Sequence, residues 1–210
     1  MNAAGTGNIF VVAAPSGAGK TTVCRQVVSE DPNVELSVSH TTRLLRVGER
    51  DGVHYHFVSR ERFTELVDAH AFLEWAEYNR NFYGTSWVSI EEPVAAGRDV
   101  LLEIEVQGAA QVRERRDDAR LIFLLPPSLK VLEERLRGRG TDSEDEIGRR
   151  LVVARGELEA APRFDFAVLN DDLGKCVAAV ATILDGCRRG RSDELRERFA
   201  PARALAEFGA

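Results

Sequence analysis

Lysine is almost missing from this chain. Of its 28 basic residues only Lys20, Lys130 and Lys175 are lysines, and the rest are arginines. A base-composition bias in the coding DNA accounts for most of that skew, and it gives extra weight to Lys20. Cysteine is scarce too. Cys24, Cys176 and Cys187 are odd in number and lack metal-ligand spacing, so reduced thiols in a cytoplasmic protein are expected rather than a disulfide framework. No apolar run approaches the ~20 residues that cross a membrane. The stretch Met1 to Gly5 has neither a basic flank nor an apolar signal core, so no membrane partner and no export are expected. A formal net charge of −6 argues against a surface that coats nucleic acid. Internal repeats and low-complexity linkers are absent as well. The 210 residues, 44% of them hydrophobic, suffice for one large core carrying small inserted lobes.

What is present begins at Ala14-Pro15-Ser16-Gly17-Ala18-Gly19-Lys20-Thr21. It follows an apolar run, Ile9 to Ala13, and precedes a helix-like stretch. Strand, Gly-rich loop and helix is the context of a phosphate-binding loop. Gly17 and Gly19 let successive backbone N–H groups curl around an anion, and the next helix turns its positive end to the same place. Lys20 can reach the outer phosphates, and the Thr21 hydroxyl can ligate Mg²⁺. Ala14 stands where the general pattern has Gly. The plain alternative is a Gly-rich turn, which needs several coincidences.

Buried-strand patterns fall at 9–14, 100–104, 121–125 and 166–169. Helical patterns fall at 22–29, 108–115, 128–137, 143–160 and 173–188. The alternation implies an α/β fold whose parallel sheet is covered by helices on both faces. Between them, 34–41 and 53–58 alternate like half-exposed strands, followed by a short helix at 60–69 and a strand-like run at 72–78. This reads as a mixed lobe inserted after the first βα unit. Ser143 and Glu146 are spaced as a capping box. The residues after Arg188 are charged, then Ala-rich, with helical character and no motif.

Four further clusters carry chemistry. Arg43 and Arg46, with Tyr55 beyond, can converge on one phosphate through paired, charge-assisted hydrogen bonds; two surface arginines on a solvated loop are the plain alternative. Glu74, in Phe72-Leu73-Glu74-Trp75-Ala76-Glu77, can accept the N1–H and N2–H₂ donors of guanine, while the hydroxyls of Ser39 and Thr85 serve O6 or N7. A site built on such bonds discriminates by ~10⁴–10⁵. A strand-edge acid facing water is the competing reading for Glu74, and a core aromatic the competing reading for Tyr83. Glu103 and Glu105 lie at the end of a buried strand, where ligands bind in open α/β sheets. Glu103 can position hydrated Mg²⁺, and Glu105 can face an acceptor base. Arg135, Arg139 and Arg150 surround the loop at 138–145 and can stabilise a moving phosphoryl group. Asn170 follows the last strand and can touch a donor adenine.

In order and spacing these motifs resemble the guanylate kinase family, from about Asn8 to Arg188. The resemblance implies a P-loop nucleoside monophosphate kinase fold. It divides the chain into a core (8–34, 89–136 and 161–188), a GMP-binding lobe (35–88), a helical lid (137–160) and a tail (189–210). It implies phosphoryl transfer from ATP to GMP, or to dGMP, with Mg²⁺. Ala14 to Thr21 and Asn170 would bind ATP. Arg43, Arg46, Tyr55 and Tyr83 would bind the GMP phosphate, and Ser39, Glu74, Thr85 and Glu105 its base. Lys20, Arg43, Arg135, Arg139 and Arg150 would act in catalysis. Leu45 stands where the family usually has Pro, which removes a fixed φ before Arg46. Glu105 stands where many members have Asp. Two other readings stay open: a kinase of this fold with another phosphorylated acceptor, and a non-catalytic guanylate-kinase-like binding module. A GTPase is disfavoured, because neither Asn-Lys-X-Asp nor Thr-Lys-X-Asp occurs.

Overall fold

The computed structural model describes residues 5–78, 80–138 and 143–209. In chain order the elements are β1 (Ile9–Ala13), α1 (Lys20–Glu30), β2 (Val34–Leu36), β3 (His40–Thr41), β4 (His56–Phe57), α2 (Arg60–Asp68), β5 (Phe72–Tyr78), β6 (Asn81–Ser86), α3 (Val88–Ala95), β7 (Asp99–Glu103), α4 (Val106–Arg115), β8 (Arg120–Leu125), α5 (Leu129–Arg137), α6 (Glu144–Leu158), β9 (Phe166–Leu169), α7 (Leu173–Arg188), α8 (Ser192–Arg198) and α9 (Pro201–Glu207). Among the described residues, no helix is long and apolar enough to cross a membrane.

The core sheet runs β2-β7-β1-β8-β9, and every neighbouring pair is parallel. β1 is buried at every position, as a central strand covered on both faces must be. Its side chains alternate between two layers. Phe10 and Val12 pack with α1 and α7 through Val23, Val27, Val180 and Ile183. Ile9 and Val11 pack on the other face with Ile90, Ala109 and Val112. The phosphate loop therefore leaves the C-terminal end of the middle strand.

The second sheet, β4-β3-β6-β5, is mixed: β3 and β4 are parallel, and the other pairs antiparallel. Its register slips between Phe72 and Glu74. That irregularity explains why Phe72, Leu73 and Glu74 are all buried in succession, where a regular strand would alternate. Leu73 joins the core layer, and Glu74 enters the cleft.

Ser59, Ser128, Ser143 and Asp172 cap α2, α5, α6 and α7 by accepting a backbone N–H three residues on, each worth about 1 kcal/mol. The Ser143 cap was legible, but Glu146 does not reach back to complete the box; its carboxylate pairs with Arg149 at 2.5 Å.

Some expectations need correction. The run 34–41 is not one strand of the inserted lobe: β2 pairs with β7 in the core sheet, and only β3 enters the second sheet. α1 and α4 each start two residues earlier than their apolar patterns, because the first turns carry polar Lys20, Thr21 and Gln107, with only Val106 packed on the core. β6 and α3 were not foreseen as elements. The residues after Arg188 form α8 and α9 and close the β9 edge. There Ala167 N–H donates to Phe199 O at 2.9 Å, and Leu205 and Phe208 pack on the core.

Candidate active site

Gly17 and Gly19 hold φ of 96° and 94°, left-handed conformations that favour glycine. A Cβ on Gly19 would lie 2.7 Å from Asn170 Nδ2, so the loop also needs glycine there for space. That Asn170 nitrogen donates to Ala18 O at 2.7 Å. Arg135 donates to Ala18 O at 3.4 Å and to Asn170 O at 3.1 Å. Both side chains thus brace the loop from behind, through its own carbonyls. Pro15 O accepts from Ala18 N–H at 3.0 Å and closes the turn, and Ala14 is buried beneath it.

Lys20 reaches across to the end of β7. It donates to Ile104 O at 2.6 Å and to Glu105 Oε1 at 3.1 Å. Burial opposes its charge, but Glu105 and Glu103 outweigh that and hold its pKa above the ordinary lysine value. The Thr21 hydroxyl donates to Glu103. The helix α6 covers the same loop: Arg150 donates to Ser16 Oγ at 2.6 Å, and Glu157 accepts the Ser16 N–H at 3.4 Å. Burial, aggravated by the nearby Glu105, pushes Glu157 up to about 7. Arg139 lies outside the described residues.

The second sheet gathers the other cluster. Arg43 grips Glu49 with both terminal nitrogens, at 2.9 and 2.8 Å, and its guanidinium stands 5.4 Å from the Tyr55 ring centre. Glu49 also accepts the Arg46 N–H at 2.8 Å. The Arg43 hydrogen bonds hold Glu49 down at about 2. The Arg46 side chain is exposed, and Tyr83 packs against Tyr55 with ring centres 5.9 Å apart. Burial raises the Tyr55 pKa, with Glu103 the next cause and Lys20 pulling the other way, so Tyr55 lies within electrostatic reach of the residues at the phosphate loop.

Between the two stands Glu74, only 4% exposed. The Thr85 hydroxyl donates to its Oε1 at 2.6 Å. Ser39 Oγ lies 3.1 Å from that hydroxyl; since the single Thr85 proton is engaged, Ser39 is the donor. Burial pushes Glu74 up to about 6, against these hydrogen bonds and the Lys20 charge. The strand-edge reading of Glu74 is thereby removed. Glu105 is the residue before α4, with Oε1 on Lys20 and Oε2 buried without a hydrogen-bond partner among the described residues.

The structure therefore brings together Lys20, Thr21, Glu103, Glu105, Ser16, Arg150, Arg43, Tyr55, Tyr83, Ser39, Glu74 and Thr85 around one cleft. Two further residues that contact this set, Glu49 and Glu157, gave no sign of a role in the sequence. Glu49 sits six residues from Arg43, inside a cluster already singled out. Glu157 is 141 residues from Ser16, and no local pattern links them.

A phosphate loop at the end of the middle strand of this five-stranded parallel sheet, an inserted lobe with its own arginines and a helix folded over the loop define a P-loop nucleoside monophosphate kinase fold. A sequence model of the family described as guanylate kinase matches residues 6–186. The guanylate kinase of Neisseria gonorrhoeae is 51% identical over 93% of this chain and 95% of its own length. That of Aromatoleum aromaticum is 55% identical over 80% and 82%. The crystal structure of guanylate kinase from Anaplasma phagocytophilum superposes with a TM-score of 0.72 at 32% identity, covering 87% of this chain and 86% of that one. The chain belongs to the guanylate kinase family.

Proposed function

We propose that this chain transfers the γ-phosphoryl group of ATP to GMP, giving ADP and GDP, and that dGMP is a further acceptor. The observation that carries the reading is Glu74. It is a buried carboxylate held by Thr85 at 2.6 Å, in the cleft that also holds a phosphate loop and a second arginine cluster. A carboxylate there accepts the two adjacent N–H donors of guanine; adenine lacks the N1 donor and would leave Glu74 unpaired. Ser39 and Thr85 serve the base beside Glu74, and the free oxygen of Glu105 is a further acceptor. Arg43, Arg46, Tyr55 and Tyr83 hold the acceptor phosphate. The loop 14–21 holds the donor phosphates, and Arg150 spans from the lid to that loop. The work is positioning plus cationic stabilisation of the charge on the moving group. We assign the lid to 137–160 and the acceptor lobe to 37–88, because β2 belongs to the core sheet. Closure over both nucleotides would exclude water and direct transfer to the acceptor.

The residues present suit Mg²⁺. Among the described residues no group of three or more His, Cys, Asp or Glu side chains can hold an ion alone. Thr21 and Glu103 supply two adjacent oxygen groups, which matches an ion shared with substrate phosphates and water. Thr21 would hold it directly and Glu103 through water; when bound it would neutralise charge on the donor phosphates. A cytoplasmic location fits three buried, unpaired thiols.

A coupled assay with ATP, Mg²⁺ and a panel of GMP, dGMP, AMP and a sugar phosphate tests the reading. GMP-dependent ADP formation is expected. The absence of turnover with GMP, or equal turnover with AMP, would overturn it. Glu74→Gln should raise the GMP KM by roughly 10²-fold, with ATP KM unchanged.

A further inference from the structure

In the second sheet β5 is an edge strand, so its outward N–H and C=O groups need partners. Side chains of α4 supply them. Gln111 donates to Trp75 O at 2.7 Å and accepts the Trp75 N–H at 3.2 Å, as a neighbouring strand would. Arg115 donates to the carbonyls of Phe72 and Leu73. Gly108, Gln111 and Arg115 are spaced by three and four residues, one face of the helix. The helix therefore stands in for a further strand and fixes the register of β5 against the core.

Gly108 faces Glu74 across that seam. A Cβ there would lie 2.4 Å from Glu74 Oε2 and 3.1 Å from Glu74 Cδ. Gly108 is buried inside α4, and it is not among the positive-φ glycines. No backbone need therefore calls for glycine, and alanine is ordinarily the better helix residue. What calls for glycine is the space taken by the Glu74 carboxylate. With Oε1 held by Thr85 at 2.6 Å, a methyl group at 108 leaves Glu74 only two exits. It moves into the cleft, or β5 lifts off α4.

We propose that Gly108 and Gln111 are positioning residues for acceptor specificity: Gly108 sets how deep the Glu74 carboxylate sits, and Gln111 holds β5 in the register that puts it there. This rests on the reading of Glu74 as the guanine acceptor. The test compares Gly108→Ala, Gln111→Leu, Glu74→Gln and the pair Gly108→Ala with Glu74→Asp, by KM for each nucleotide, kcat and thermal stability. A misplacement near 1 Å costs roughly 10²-fold, so Gly108→Ala should raise the GMP KM roughly 10- to 100-fold. Its ATP KM should stay within about twofold of the parent, since the phosphate loop is untouched. The shorter aspartate should recover much of that loss, so that the two changes are far from additive. Gln111→Leu should also raise the GMP KM alone, and it decides the matter if Gly108→Ala fails to fold. A normal GMP KM in both variants, or equal rises in the GMP and ATP KM, overturns the proposal. If Glu74→Gln itself leaves GMP selectivity unchanged, the reading of Glu74 falls and this proposal with it. If Glu74→Gln loses selectivity while Gly108→Ala and Gln111→Leu do not, only the positioning role falls.

Discussion

In this cleft the groups suited to phosphate are paired with carboxylates. Lys20 holds Glu105, Arg43 holds Glu49, and the Ser16 N–H holds Glu157. Each pairing keeps a partly buried donor satisfied, and on the function proposed above a substrate phosphate would compete with it. Glu157 is the weakest of the three, at 3.4 Å and with its ionised form disfavoured by burial. Glu157→Gln should therefore lower the ATP KM at pH 8, by roughly three- to tenfold, because a negative charge no longer competes at the loop amide. Steady-state kinetics at fixed, saturating GMP will show it. A tenfold rise in the ATP KM would instead make Glu157 part of the donor site. The sequence shows the loop glycines and Lys20 plainly, since they are adjacent and their chemistry is local. It does not show their resting partners. Lys20 and Glu105 are 85 residues apart, and the side-by-side parallel pairing of β1 and β7 brings them together.

At the scale of elements, the legible parts are those with uniform burial. β1, β8, β9 and α7 follow their apolar runs because both faces, or one long stripe, are covered. The parts that escaped have a physical reason for it. α3 carries Pro93 within eight residues, which reads as a break. β6 holds Gly84 with Trp75 and Phe63 packed over it, so its pattern lacks the alternation of a strand. α9 is short and Ala-rich, and its packing face, Ala204, Leu205 and Phe208, shows only once β9 is in place. This last element yields a prediction about stability alone. Truncation after Arg198 removes the Phe199 carbonyl that serves Ala167 and uncovers the core layer. The loss should be about 3 kcal/mol, or roughly 6–12 °C in Tm. The KM values of both nucleotides should hold at temperatures where the truncated chain is folded. A truncated chain with the parent Tm but no activity would assign the tail to the reaction instead.

At the scale of the whole molecule, α6, the glycine-rich loop and the second sheet meet in one cluster of charge, and the pH dependence of stability follows from it. Glu157 at about 7 and Glu74 at about 6 hold protons more tightly than in the unfolded chain. Glu157 faces Ser16, Lys20 and Glu105; Glu74 faces Thr85, Lys20 and Arg115. Their raised values favour the fold fully below the ordinary carboxylate range, and that advantage is lost as pH rises through 6 and 7. His40, half-buried against His56, is pushed down to about 4 by burial and by the His56 charge, so it acts in the opposite sense between its ordinary value and that one. Two carboxylates outweigh one imidazole, so the net slope still favours lower pH in that window. Below the ordinary carboxylate range Glu49, held at about 2 by Arg43, reverses the trend. Asp31 and Asp118, both lowered mainly through hydrogen bonds that outweigh burial, add to that reversal. Stability without nucleotide should peak near pH 5 and decline toward pH 8. The expected difference is on the order of 2 kcal/mol after screening of the partly exposed Glu157, or roughly 4–8 °C in Tm. Calorimetry at pH 5, 6.5 and 8 measures it, and the double variant Glu74→Gln with Glu157→Gln should remove the decline above pH 6.5. A Tm that instead climbs to pH 8 would mean that neither carboxylate is held as the cleft geometry requires.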